Sequence, residues 1–181
     1  MNVTVDRNIE GKKLASSIAM TMSLVTFAML FATMFLGYTV FRMQQPVWPP
    51  MGMPRVGLTI PLLSTLLIVV SSFTYWKFEK NIETKKWLII TTLLGIGFLI
   101  SQTILWNEFK ELGLFANSGI FASILYAFTW LHAAHIVMGL CGLVFLLFKK
   151  ELNDNHVINV GKFWHFLDIV WIIMLGILFI Y

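Results

Sequence analysis

Five long apolar runs dominate this chain of 181 residues and limit what it can fold into. They cover residues 14–41, 57–76, 87–106, 119–148 and 163–181. A helix needs roughly 17–25 mainly apolar residues to cross the ~30 Å hydrocarbon core of a bilayer, and each run has that length. The loops between the runs are too short to form a soluble domain. The sequence therefore predicts one all-α membrane domain over residues 1–181, built from five transmembrane helices.

The distribution of basic residues predicts how these helices are oriented. Ten of the 13 Lys and Arg residues lie before the first run or in the loops after the second and fourth runs. The others, Arg42, Arg55 and Lys110, lie at the opposite side. Basic residues accumulate on the cytoplasmic side of membrane proteins, which predicts a cytoplasmic N-terminus and an external Tyr181. Topology thus explains the net charge of +4, and we expect no nucleic-acid partner.

Ionisable side chains within the runs are informative, because polar groups are costly in lipid and usually face protein. His132 and His135 lie in the fourth run, and His165 and Asp168 lie in the fifth. Each pair has i, i+3 spacing, so its members share one helix face. Glu108 follows the third run at its outer end, where a solvated carboxylate is normal. We group these five residues as the polar stripe, with a structural or proton-relay role.

Three interpretations of the polar stripe differ in their chemistry. Helix bundles use histidine and aspartate as metal ligands, but His135 and Asp168 lie about 20 Å and about 9 Å from the cytoplasmic helix ends at 1.5 Å per residue. We therefore assign no catalytic, cofactor-binding or metal-binding residue. The favoured interpretation is structural: His165 interacts with Asp168 within one helix, and His132 and His135 hydrogen-bond to neighbouring helices. A proton relay remains the alternative, because histidine titrates near neutral pH.

The sulfur-containing residues do not indicate redox chemistry. Cys141 is the single cysteine, so a disulfide or thiolate cluster within the chain is excluded. Met51 and Met53 carry soft thioether groups that can bind Cu(I). The chain has ten methionines, however, and packing explains the pair.

Several segments together resemble one known family, subunit III of the haem–copper oxidases. TWLHAAHIVMG at 129–139 resembles that family's TGFHGxHVxxG, and FWHFLDIVW at 163–171 resembles its closing YWHFVDxVW. WPPMG at 48–52 resembles a WPPxG loop, and PLLST at 61–65 resembles a PLLNT helix start. Gln102 and Glu108 match the QxxEYxE helix end of the family. The resemblance is nearly continuous from Trp48 to Tyr181.

The chain departs from the family pattern at particular positions. The first run contains no acidic residue, and by spacing the place of the family's buried glutamate falls near Phe27. Ser64 replaces an asparagine, and Leu105 replaces the earlier glutamate of the third-helix motif. These differences indicate a divergent branch of the family.

The resemblance implies the five-helix bacterial form, a multi-pass protein of the cytoplasmic membrane that lacks the first two helices of longer members. It implies a non-catalytic accessory subunit of a terminal oxidase in aerobic respiration. The haems, the copper and the proton pump are then expected in subunit I, and no catalytic centre or cofactor other than bound phospholipid is expected in this chain. Subunit III is expected to bind and stabilise subunit I and to aid proton or oxygen entry.

Two alternatives remain open from the sequence. A subunit-III-like protein of a nitric oxide reductase system would have the same motifs and helix number. An independent haem- or metal-binding membrane protein would use the four buried polar residues of the fourth and fifth helices.

Overall fold

A computed structural model describes residues 3–50 and 53–180, which form five long helices and no strand. The helices are α1 (Val3–Met43), α2 (Thr59–Lys80), α3 (Lys85–Glu111), α4 (Ile120–Phe148) and α5 (Asp154–Met174), the last continuing as a π-helical segment, Leu175–Phe179. All five are long and apolar enough to cross a membrane, which confirms the predicted all-α membrane fold. Three residues named in the sequence analysis, Met51, Gly52 and Tyr181, lie outside the described residues. Met51 belongs to the methionine pair, and Met51 and Gly52 belong to the WPPMG loop.

Most helices extend beyond the apolar runs, at ends that carry charged or polar residues. The largest differences are α1, which begins at Val3 instead of residue 14, and α5, which begins at Asp154 instead of residue 163. The side chain of Asn153 caps α5 by accepting a 3.1 Å hydrogen bond from the backbone N–H of Asn155. Hydropathy does not detect this polar first part of α5, because helix formation there depends on capping rather than on apolar side chains.

Four helices form a closed ring in which α2 packs on α3, α3 on α4, α4 on α5, and α5 on α2. Trp164 of α5 lies fully buried at the centre of this ring. Its indole N–H donates a 3.1 Å hydrogen bond to the Ser71 hydroxyl of α2. A Cβ atom added to Gly95 of α3 or Gly139 of α4 would lie 2.7 or 3.0 Å from the indole ring. The two glycines therefore leave the space that the indole fills.

Helix α1 lies outside this ring, packed along α5. Three phenylalanine rings of α1 at positions 27, 31 and 35 reach side chains of α4. Only 6% of the most apolar 18-residue stretch of α1 is buried, whereas 33–56% of the corresponding stretches of the other helices is buried. Most of the α1 surface is therefore free to contact lipid or another membrane subunit.

Candidate functional site

The polar-stripe residues of α4 and α5 form two separate clusters. His132 and His135 of α4 lie among aromatic rings of α1, α3 and α5. His165 and Asp168 of α5 face α2 instead. Within the described part of the chain, the hydrogen bonds, ion pairs and ring contacts of the two pairs have no side chain in common. The structure therefore does not bring the four residues together in one site.

His132 is completely buried, and aromatic side chains surround its imidazole ring. Trp171 of α5 stacks on the ring with a centroid distance of 5.4 Å. Phe98 of α3 and Phe31 of α1 approach it edge-on at 5.8 and 6.2 Å. Neither imidazole nitrogen has a hydrogen-bond partner among the described residues. Packing alone therefore holds this ring in place.

His135 is satisfied within its own helix. Its Nδ1 atom lies 2.7 Å from the carbonyl oxygen of Leu131. Because a carbonyl oxygen only accepts, Nδ1 is the donor and carries the proton. The rings of Phe27 and Phe31 cover the imidazole, with centroids at 4.7 and 5.5 Å.

The expected hydrogen bonds from the α4 histidines to neighbouring helices are not among the described contacts. The physical reason is that α1 presents Phe27 and Phe31 to these histidines, and phenyl rings offer no hydrogen-bonding groups. The family resemblance places a buried glutamate near Phe27. In this chain His135 faces the apolar ring of Phe27.

His165 lies between two carboxylates at the contact of α5 with α2. Its Nδ1 atom is hydrogen-bonded to the hydroxyl of Ser72 and lies 3.9 Å from Oδ2 of Asp168. Its Nε2 atom lies 3.9 Å from Oε2 of Glu79. The ring of Tyr75 packs edge-on against the imidazole at 5.9 Å. We call Ser72, Glu79, His165 and Asp168 the α2–α5 polar cluster.

Asp168 is only 4% exposed, and neither carboxylate oxygen has a hydrogen-bond partner among the described residues. Its predicted interaction with His165 is present as the 3.9 Å contact but not as a hydrogen bond, because Ser72 occupies the facing imidazole nitrogen. A lateral cavity of about 280 Å³ lies beside the carboxylate. The cavity is lined by Val69, Ser72, His165, Asp168, Ile169 and Ile172.

Ser72 and Glu79 of α2 were not among the predicted site residues. Together with Tyr75 they have i, i+3, i+7 spacing, which places them on one helix face. Glu79 lies beyond residue 76, where the second apolar run ends, so it resembles a solvated loop residue in the sequence. Gly161 of α5 makes the half-buried position of Glu79 possible, because any side chain at 161 would collide with Glu79 and Tyr75.

Glu108 is half-buried, whereas a solvated interfacial carboxylate was expected. A Cβ atom on Gly57, in the segment before α2, would lie 2.8 Å from its Oε1 atom. Its Oε2 atom is buried and has no hydrogen-bond partner among the described side chains. The segment before α2 covers this carboxylate because a glycine at position 57 allows the close approach.

A further buried polar contact links α2 to α3. The hydroxyl oxygens of Ser64 and Ser101 lie 2.7 Å apart, and the amide of Gln102 donates a 3.3 Å hydrogen bond to Ser64. Ser64 and Gln102 both belong to the motifs of the family resemblance. Their position between two helices indicates a packing role for these motif residues.

The polar side chains do not fit a haem or metal site. Residues 3–50 and 53–180 contain no group of three or more His, Cys, Asp or Glu side chains able to hold a metal ion. Aromatic rings enclose the imidazole of His132, and the rings of Phe27 and Phe31 cover the imidazole of His135. We therefore assign no cofactor chemistry to these residues.

Comparison with known proteins identifies relatives along almost the whole chain. The family model for cytochrome c oxidase subunit III matches residues 8–181. Cytochrome c oxidase subunit 3 of Synechocystis sp. is 31% identical over 166 residues, which cover 83% of this chain and 69% of that protein. A probable cytochrome c oxidase subunit 3 of Nocardia farcinica is 32% identical over 157 residues, covering 80% and 77%.

A third relative matches a similar share of the chain. Cytochrome c oxidase subunit 3 of Bacillus sp. (strain PS3) is 28% identical over 163 residues, covering 83% of this chain and 78% of that protein. The match to the family model includes the segments around the α4 histidines and around His165 and Asp168, which carried the resemblance in the sequence. The chain belongs to the cytochrome c oxidase subunit III family.

Proposed function

We propose that this chain is the accessory subunit III of a bacterial haem–copper terminal oxidase, in which it packs on catalytic subunit I and stabilises it. The observation that carries this proposal is the family match over residues 8–181. In this proposal the chain lies in the bacterial cytoplasmic membrane with its N-terminus inside. The haems and copper belong to the partner subunit, and oxygen is the substrate of the complex.

The exposed apolar surface of the bundle supports a packing role. Helix α1 has most of its apolar side chains exposed, and so do the outer faces of the four-helix ring. Lipid and a larger membrane subunit can both cover such surfaces. A bundle of this kind stabilises its partner by burying part of the partner's membrane surface.

We propose structural roles for the polar stripe in preference to a proton relay. A relay needs a continuous chain of hydrogen-bonding groups, whereas aromatic rings separate the α4 histidines from other polar side chains. An effect of the subunit on proton or oxygen entry would then act through bound lipid or through contact with the catalytic subunit.

Gentle purification through an affinity tag on this chain tests the proposal. We expect oxidase subunits and haem absorbance to co-purify in a fixed ratio to the chain. We also expect the oxidase core to lose activity faster during turnover when the chain is deleted. A core that keeps full activity and turnover lifetime without the chain would contradict the stabilising role.

Two measurements separate the alternatives. Consumption of nitric oxide instead of oxygen by the purified complex would assign the chain to a nitric oxide reductase system. A Soret band in the isolated chain would show that it binds haem independently.

A further inference from the structure

The α2–α5 polar cluster contains two carboxyl groups but only one group that can carry a positive charge. When both are ionised, Glu79 and Asp168 carry two negative charges, and the imidazole of His165 between them carries at most one positive charge. At least one carboxylate charge therefore has no counter-ion within the cluster. Glu79 is partly exposed, whereas Asp168 is buried, so an unpaired charge on Asp168 is the costly one. Intramembrane carboxylates usually pair with a cation.

Nearby lysines of the chain are engaged elsewhere. Nζ of Lys77 lies 4.8 and 4.5 Å from the centroids of two aromatic rings, and Nζ of Lys80 lies 3.7 Å from a third. Nζ of Lys162, on α5 itself, is directed to the Ser17 hydroxyl of α1 at 3.5 Å. These contacts leave the carboxylate of Asp168 without an ammonium partner from these three residues.

The cavity beside Asp168 has the shape and polarity that a long cationic side chain needs. Its volume is about 280 Å³, and Asp168, His165 and Ser72 form its polar part. The exposed side chains of Ile169 and Ile172 line its apolar part. Lysine and arginine combine an apolar stem with a charged tip, so they complement both parts.

We infer that this cavity receives a lysine or arginine side chain from a transmembrane helix of a neighbouring subunit, with Asp168 as its counter-ion. The inference rests on the proposed function, because it requires a larger membrane partner. It assigns the α2–α5 face of the bundle to that partner.

The depth of Asp168 favours a protein cation over the amine of a lipid headgroup. Asp168 follows Lys162, the last basic residue before it on α5, by six residues, which is about 9 Å along a helix. Lipid amines lie in the headgroup layer, whereas a side chain of a neighbouring helix can place its charge at any depth. Ionisable groups inside membranes usually pair with one another across helices.

Retention of the chain in the oxidase complex tests this inference. The complex is purified through its catalytic subunit, and the rate at which this chain dissociates in mild detergent is compared between variants. Asp168→Asn keeps the size of the side chain but removes its charge, so we expect dissociation to be at least about tenfold faster. Asp154→Asn is the matched control, because it removes one charge from an exposed position on the same helix. Thermal unfolding of the isolated variants checks that both remain folded.

Site-specific photo-crosslinking identifies the partner without relying on the folding of the Asp168→Asn variant. A photoreactive amino acid replaces Ile169, and we expect a crosslink to a partner transmembrane helix next to a lysine or arginine. Exchanging the charges, with Asp168→Lys here and the opposite change at that cation, should restore retention.

The outcomes separate this inference from the proposed function. A chain that co-purifies with no larger membrane subunit would overturn both. If the unmodified chain co-purifies with the oxidase, but it and the Asp168→Asn and Asp154→Asn variants all dissociate at the same rate, only the cation site is overturned. Crosslinks from position 169 to lipid alone would also overturn the cation site.

Discussion

At the scale of single residues, hydroxyl and imidazole groups in the membrane spans are satisfied differently. Thr26, Thr39, Thr65 and Thr92 each donate a hydrogen bond to the carbonyl four residues earlier in their own helix. Such bonds satisfy a hydroxyl wherever it lies on the helix. Neither nitrogen of His132 has a partner of this kind, and its position depends on ring packing.

Replacing His132 with phenylalanine should leave the bundle at least as stable, because a ring remains and two unsatisfied buried nitrogens disappear. An unsatisfied buried polar group costs about 1–3 kcal/mol, so we expect the free energy of unfolding to stay unchanged or to rise within that range. The measurement is thermal or detergent-induced unfolding of the purified chain. His135→Phe is the comparison, because it removes a satisfied donor and should give no such gain. A loss above about 1 kcal/mol in His132→Phe would contradict the prediction.

At the scale of helices, close packing around Trp164 determines how α3, α4 and α5 meet. Because Gly95 and Gly139 have no side chain, the indole packs directly against the backbones of α3 and α4 at these positions. Small residues at helix contacts are typical of membrane bundles, where van der Waals packing drives association.

Gly95→Ala should destabilise the bundle, because its Cβ would lie 2.7 Å from the Trp164 ring and 2.9 Å from Leu140. We expect a loss of about 1–3 kcal/mol from overpacking, measured as a lower unfolding midpoint. Gly97→Ala is the matched control on the same helix, because its Cβ meets only Leu67 at 3.9 Å. That control should gain up to about 1 kcal/mol from helix propensity. Equal effects of the two substitutions would argue against this packing.

Lys85 at the start of α3 caps the C-terminal end of α4. Its Nζ atom donates hydrogen bonds of 3.3 and 2.8 Å to the carbonyl oxygens of Leu147 and Lys149. A cation at a helix C-terminus also interacts favourably with the helix dipole.

Lys85→Met keeps the apolar stem and should cost about 0.5–1.5 kcal/mol, with faster amide hydrogen exchange in the last turn of α4. Lys86→Met removes the charge of an exposed neighbour and should change neither quantity. Unchanged exchange at the end of α4 in Lys85→Met would show that water alone satisfies these carbonyl groups.

At the scale of the whole molecule, an odd number of spans predicts that the two termini lie on opposite sides of the membrane. The charge distribution predicts that the N-terminus lies in the cytoplasm. An alkaline phosphatase fused after Tyr181 should therefore be active, because that enzyme folds only outside the cytoplasm. A cytoplasmic fluorescent reporter at the N-terminus is the complementary control. An inactive C-terminal fusion together with a non-fluorescent N-terminal reporter would show the opposite topology.

The number of helices and their approximate positions follow from hydropathy alone. Burying a charged side chain in hydrocarbon is so costly that span ends are determined locally, by residues such as Lys77, Lys85 and Lys149. The family likewise follows from local motifs, because segments 129–139 and 163–171 are contiguous in the chain. Neither conclusion depends on how the helices pack.

The rotation of each helix about its axis is a property of the packed bundle. Lipid-facing and protein-facing sides are both apolar here, so periodicity does not show which residues meet. The sequence therefore grouped His132, His135, His165, Asp168 and Glu108 into one stripe, whereas the structure divides them among three separate environments. The same packing brings Phe27 to His135, and Glu79 to His165, across distances in sequence that no local pattern connects.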